Sequence, residues 1–168
     1  MKRIHPNRLT QMALLAAIAL GVWYLESLLP PFTAVPGVKP GLANCLTLYA
    51  LYTLGRKEAA GVLTVRVLLA AVLAGGMGSF LYSAAGGLLC LLVMLCVKLP
   101  PQQMWVTSVF GAIAHNAGQL TVAALLMRTA VVFVYLPHLL IAAILAGTLT
   151  GLTAQFAYFR LHKHTKEG

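Results

Sequence analysis

The sequence is poor in acidic residues. It contains no aspartate, and its three acids are Glu26, Glu58 and Glu167. Diphosphate chemistry needs clustered carboxylates to hold Mg²⁺, and no such cluster occurs, so a prenyl-transferring active site is excluded. The phosphate-binding pattern Gly-x-x-x-x-Gly-Lys-Ser/Thr is also absent, which excludes ATP hydrolysis by that route. We therefore predict that the protein is not an enzyme.

Metal, cofactor and disulfide chemistry are equally poorly represented. The three cysteines are scattered through apolar runs without a Cys-x-x-Cys spacing, so neither a zinc site nor a disulfide framework is indicated. The histidines have no ligand-spaced partner, which argues against a metal site. We predict no metal and no cofactor.

Charge is scarce and apolar residues are abundant. Charged residues make up 9% of the chain and apolar residues 60%, against about 25% and about 45–50% in an ordinary soluble domain. The 168 residues provide about six helices of roughly 20 residues with short connections. The composition predicts one all-α integral membrane domain over residues 1–168, with the lipid bilayer as its main solvent.

The cations are placed according to membrane topology. Nine of the twelve lie at the chain ends or in every second gap between apolar runs: Lys2, Arg3, Arg8, Arg56, Lys57, Lys98, Arg160, Lys163 and Lys166. Cytoplasmic loops retain cations, so these gaps should face inward, with six spans and both termini in the cytoplasm. Because topology explains the net charge of +9, we do not expect nucleic acid as a partner.

Six helices are predicted at about 9–29, 42–54, 59–73, 80–97, 104–127 and 131–159. The proline-rich segment 30–41 should form an outward cap, and the short second helix should begin below the outer surface with its backbone donors open to a cavity. Pro137 predicts a kink in helix six, and Gly147-x-x-x-Gly151 predicts a packing groove on the same helix.

A small set of polar side chains lies inside this apolar body: Lys39, Asn44, Arg66, His115, Asn116 and Gln119. Unpaired polar groups in hydrocarbon cost several kcal/mol, so these side chains must face other helices or a wet cavity. One interpretation is an outward-opening pocket for a small solute. Because the pocket would contain two cations and only one nearby acid, it would favour an anionic solute. The other is that Arg66 pairs with Glu26 or with helix-end carbonyls, and that the amides and His115 join helices.

Three further polar residues are more ambiguous. Glu26 is either a member of this group or a surface acid at the end of helix one. Arg128 fits a loop cation among the outer headgroups, and His138 fits an interfacial histidine better than a site member.

Several sequence motifs resemble a known family. They are Lys39-Pro-Gly-Leu-Ala-Asn44, Thr47-Leu48, Leu54-Gly55, Arg66-Val67-Leu68-Leu69, Ser79-Phe80-Leu81, Ala85-Gly86-Gly87 and Gly111-Ala112-x-x-His115-Asn116-x-Gly118-Gln119-Leu120. Over roughly residues 9–158 the chain resembles bacterial membrane proteins called heptaprenyl diphosphate synthase component I, also termed the Gx transporter family. The resemblance implies a bacterial cytoplasmic membrane location.

The fold of that family is similar to the substrate-binding S components of energy-coupling-factor transporters. This similarity implies a six-helix bundle that binds a vitamin-like or quinone-related solute from outside and is energised by a transmembrane coupling subunit with ATPases. By the same similarity, Ala13 and Ala17 on helix one resemble the small-residue surface that meets the coupling subunit. The alternative is a non-catalytic membrane subunit that serves isoprenoid or quinone synthesis or extracellular electron transfer.

Overall fold

The computed structural model describes residues 7–28, 39, 41–74 and 76–166, with side chains as far as residue 161. These residues form a bundle of α-helices, which confirms the predicted all-α class. The bundle contains α1 (Arg8–Ser27), α2 (Asn44–Thr53), α3 (Arg56–Ala74), α4 (Met77–Cys96), α5 (Met104–Met127) and α6 (Leu136–Lys166). Short 3-10 helices at Pro101–Gln103 and Val131–Tyr135 precede α5 and α6.

Four of the described helical segments are long and apolar enough to cross a membrane. They contain α1, α4, α5 and α6. The helix α2 has ten residues, about 15 Å of rise, which is half a bilayer core. The helix α3 has 19 residues, but it carries three charged residues in its first turn and Arg66 near its middle. Length and composition therefore mark four helices as spans.

The short helix α2 lies at the centre of the bundle and contacts all five other α-helices. Its side chains Leu48 and Leu51 and the small residue Ala50 are completely buried. No residue of α2 is fully exposed, and helices of the same chain pack around it, so its length need not match the bilayer. Its N-terminal end, in the interior, is where the polar residues collect.

Glycines allow the large helices to approach closely. A Cβ atom on Gly118 of α5 would lie 2.8 Å from the Ala85 carbonyl oxygen of α4. On α6, a Cβ on Gly147 or Gly151 would lie 2.8 or 2.5 Å from the Cα atoms of Val109 or Trp105 on α5. The predicted packing groove on helix six is therefore confirmed, and the backbone of α5 fills it.

Some helix limits differ from the predicted ones. Pro137 is the second residue of α6, after the 3-10 helix, so it starts a helix and does not kink one. Proline suits that position because the first amides of a helix have no acceptor within it. The helix α3 begins at Arg56, three residues before the predicted start at 59. Gly55, at φ +125°, makes the turn between α2 and α3, so residues 56–58 are already helical. The predicted cap at 30–41 lies mostly outside the described residues.

Candidate functional site

The guanidinium of Arg66 is buried near the middle of the bundle. Arg66 is 3% exposed, and its Nη2 donates to Asn44 Oδ1 at 3.0 Å, while Nε has no hydrogen-bond partner among the described residues. Among the described residues the ion pair is between Arg8 and Glu58, at 3.2 Å, and Glu58 lies in the first turn of α3, about two turns before Arg66. Arg66 is thus held by an amide, and no carboxylate of the described residues is in direct contact with it.

The start of α2 is bound by a carboxylate of the chain itself. The Oε1 atom of Glu26 accepts hydrogen bonds from the backbone N–H groups of Gly41 and Leu42, the latter at 3.2 Å. Glu26 is 4% exposed, so it is not a surface acid. The donors that we expected to open into a cavity are therefore occupied, and α1 is tied to the beginning of α2.

Lys39 contributes its backbone and its side chain in different directions. Its backbone N–H donates to Gln119 Oε1 at 3.0 Å, which ties the segment before α2 to α5. Its ammonium donates to Ser27 Oγ at 2.6 Å and lies 4.5 Å from the centre of the Trp23 ring. Partial burial lowers the pKa of this ammonium, and the Glu26 carboxylate opposes part of that shift. The charge of Lys39 therefore lies at the end of α1, against Trp23.

The imidazole of His115 fills the space between two glycines. A Cβ on Gly41 would lie 2.6 Å from His115 Cδ2, and one on Gly86 of α4 would lie 2.7 Å from His115 Nδ1. His115 Nε2 and Gln119 Nε2 are 3.0 Å apart, one helical turn along α5. Gly41 also has φ +79°, which favours glycine. The two glycines make room for the ring beside the start of α2.

Asn116 turns away from this group. Its Nδ2 donates to the Leu139 carbonyl oxygen of α6 at 2.9 Å, so it joins two helices. The structure thus brings together Lys39, Asn44, Arg66, His115 and Gln119, which we call the polar cluster, and separates Asn116 from it. This arrangement follows from helix geometry, because adjacent residues on α5 point about 100° apart.

A cavity beside the polar cluster is small. It measures about 10 Å³, is lined by residues that include Gly41, Asn44, Ser108 and Thr150, and has room for about one water molecule. Buried polar atoms nearby have no hydrogen-bond partner among the described residues, namely Asn44 Nδ2, Thr47 Oγ1 and Arg66 Nε. Each such atom costs about 1–3 kcal/mol if it is left unpaired. The cluster therefore retains unused hydrogen-bonding capacity while it is nearly closed.

Sequence reasoning left Glu26 open between the polar group and the surface, and it did not identify Trp23, Ser27 or Thr47. Glu26 had a usable signal, because an acid within an apolar run must find donors, and the nearest were the amides at the start of α2. Trp23 and Ser27 contact Lys39, which follows α1 at a position that helical periodicity does not predict. Thr47 lies one turn after Asn44, and that spacing could have indicated it.

The remaining candidates lie at the periphery. Arg128 is exposed and ends α5 in a left-handed conformation at φ 51°, and His138 is exposed on α6. Ala13 and Ala17 are both exposed on α1, away from the buried Ala16 and Ala19. Among the described residues, no group of three or more His, Cys, Asp or Glu side chains could hold a metal ion.

Comparison with known proteins gives one relationship. Neither the curated proteins nor the solved structures that were compared match this chain. The family described as heptaprenyl diphosphate synthase component I matches residues 15–157, which include α2 to α5 and the whole polar cluster. The match covers well over half of the sequence, so the chain belongs to the heptaprenyl diphosphate synthase component I family.

Proposed function

We propose that this protein is a membrane transport component that binds a small anionic solute at the polar cluster, entering from the outer side. Partner subunits supply the energy, because the chain has no phosphate-binding loop of its own. The solute class is vitamin-like or related to quinone and isoprenoid precursors. The observation that carries the proposal is a buried Arg66 that is paired with an amide and that no acid of the described part of the chain contacts directly.

The electrostatic argument starts from the cost of burying a charge. A guanidinium moved out of water loses several kcal/mol of hydration free energy, and a contacting carboxylate is the usual compensation. Arg66 instead contacts Asn44 Oδ1 and keeps Nε without a partner among the described residues. An oxyanion placed at Nε would supply both the negative charge and the acceptor. The unpaired Nδ2 of Asn44 offers a second donor to the same ligand.

The proposal requires that the site is closed in this conformation, because the cavity beside the polar cluster is too small for a solute. Lys39 is held by Gln119, Gly41 and Leu42 are held by Glu26, and the cavity beside them admits about one water. A vitamin-sized solute needs a larger site, so Lys39, Gly41 and Leu42 must move outward before binding. The hydrogen bond from Lys39 to Gln119 would then break on opening and form again over the solute.

Membrane orientation and partner contact complete the proposal. The cations in alternate gaps favour both termini in the cytoplasm and six crossings, with the shorter α2 and the charged α3 completing the four apolar spans; in this orientation the polar cluster would lie in the outer half. Ala13 and Ala17 present small exposed side chains on α1, which would let a helix of the coupling subunit approach closely. The bacterial cytoplasmic membrane is the location that this orientation implies.

The test compares Arg66 with a matched cation. Small molecules retained by the detergent-purified protein are identified by mass spectrometry, and the affinity of the identified solute is measured for Arg66→Ala and for the exposed Arg128→Ala. We expect Arg66→Ala to weaken binding about tenfold or more, about 1.4 kcal/mol, and Arg128→Ala to leave it unchanged. Equal affinities of both variants, with both proteins still folded, would reject the proposed site.

A second function is favoured by the family description, in which "component I" implies another subunit. In this alternative the protein is a non-catalytic membrane subunit that holds a synthase of isoprenoid or quinone metabolism, or a protein of extracellular electron transfer, at the bilayer. The polar cluster then only joins helices. Purification in mild detergent distinguishes the two: ATPase subunits should co-elute with a transport component, whereas co-elution of a soluble prenyl synthase would support the second function.

A further inference from the structure

The carboxylate of Glu26 occupies a place that suits a carboxylate ligand. One oxygen, Oε1, accepts from two consecutive backbone N–H groups at Gly41 and Leu42. These groups precede α2, a ten-residue helix whose N-terminal dipole favours negative charge. Glu26 reaches this place from another helix, α1, and is 4% exposed there.

Two buried side-chain donors without an acceptor among the described residues, on Asn44 and Arg66, lie near the backbone that Glu26 binds. A Cβ on Gly41 would lie 2.9 Å from Asn44 Nδ2, so this unpaired amide is directly beside the backbone that Glu26 binds. Asn44 is 5% exposed and Arg66 is 3% exposed, and Arg66 Nε is also unpaired among the described residues. The Oε1 atom of Glu26 therefore accepts from the two backbone N–H groups but not from the side-chain donors of Asn44 and Arg66. A free carboxylate could use the same backbone N–H groups and also reach the side-chain donors.

We infer that Glu26 is an internal competitor of the solute, and that the anionic group of the solute is a carboxylate that displaces it from the start of α2. This inference rests on the proposed function and specifies its ligand. When the solute carboxylate binds Gly41 and Leu42, the Glu26 side chain is released. The link between α1 and α2 is then replaced by a link through the solute. Binding of the solute therefore changes the contact between α1 and the start of α2.

The test uses acetate, the smallest carboxylate that reproduces the end of the Glu26 side chain. Glu26→Ala leaves the two backbone donors without an acceptor, and acetate should fill the vacated place. The fluorescence of Trp23 reports the change, because Trp23 lies against Lys39, which is two residues before Gly41. The chain has two tryptophans, so all variants are made in a Trp105→Phe background that leaves Trp23 as the remaining one. We expect acetate to shift Trp23 emission of the Glu26→Ala protein back toward that of the unsubstituted protein, and to raise its thermal stability in detergent.

The unsubstituted protein should respond only at acetate concentrations about tenfold higher or more, since a tethered carboxylate competes. Glu26→Gln should fall between the two, because its amide oxygen still accepts both hydrogen bonds but carries no charge. This variant also keeps the test decisive if Glu26→Ala fails to fold. Glu58→Ala removes a partly buried carboxylate that pairs with the exposed Arg8, away from the polar cluster, and serves as the matched control, which should behave as the unsubstituted protein does. Sodium chloride and acetamide should reproduce none of these effects.

Two results would overturn the inference. One is an equal acetate response of the Glu26 variants and the unsubstituted protein, and the other is no acetate response in any of them. The proposed function is tested separately, because Arg66→Ala is measured with Glu26 intact. If Arg66→Ala abolishes solute binding while acetate has no effect, the competitor role is wrong and the solute site stands. If acetate restores Glu26→Ala while solute affinity is independent of Arg66, the site in the proposed function is wrong.

Discussion

Replacing Gly41 with alanine is expected to destabilise the folded protein by roughly 2–5 kcal/mol, the sum of a left-handed backbone penalty and of overpacking. Gly41 has φ +79°, and the added methyl group would lie 2.6 Å from His115 Cδ2 and 2.9 Å from Asn44 Nδ2. The imidazole cannot retreat freely, because Gly86 encloses its other edge. The measurement is thermal unfolding in detergent.

The same substitution should also weaken solute binding about tenfold or more, since it displaces the N–H of Gly41 and the amide of Asn44. Gly21→Ala is the matched control, because a Cβ at Gly21 on α1 meets no atom within 4 Å. Alanine there should be neutral or stabilise the helix by about 0.5–1 kcal/mol. Equal unfolding temperatures of the two variants would show that the space around Gly41 is not restricted.

Replacing Gly151 with valine is expected to separate α5 from α6. The first carbon of the new side chain would lie 2.5 Å from Trp105 Cα and 2.7 Å from Ser108 Cβ, so backbone and not only side chains must move. Overpacking of this kind costs about 1–3 kcal/mol, and a clash with backbone belongs at the upper end. The unfolding temperature in detergent should fall markedly.

Gly78→Val provides the comparison for that prediction, since nothing lies within 4 Å of a Cβ at Gly78 in the first turn of α4. It should change the free energy of unfolding only by the helix propensity difference, which favours valine over glycine by less than about 1 kcal/mol. If Gly151→Val is as stable as Gly78→Val, the close approach of α5 and α6 is not a feature of the folded protein in detergent.

The helical bundle was predictable because lipid exposure leaves a strong pattern in the sequence. Backbone groups must be satisfied internally in a bilayer, so long apolar runs can only be helices, and glycines four apart indicate where two of them meet. The predicted helices and the groove at Gly147 and Gly151 follow from these rules. The 3-10 helix before α6 does not, because Pro137 is compatible with both a kink and a helix start.

The residues of the candidate site could be identified, but their pairing could not. Polar side chains in apolar runs are few, so Arg66, His115 and Gln119 were evident from the sequence. Which donor meets which acceptor depends on the path of the chain between α1 and α2 and on the rotation of α5. For that reason the sequence did not reveal that Glu26 binds the start of α2, or that Asn116 faces α6.

An experimental structure of the protein bound to the solute that it retains on purification tests the central claim most directly. We expect density for an anionic group within hydrogen-bonding distance of Arg66 Nε and Asn44 Nδ2, with Glu26 released from Gly41 and Leu42. Density at another place, with the bonds from Arg66 to Asn44 and from Gly41 to Glu26 unchanged, would contradict the account.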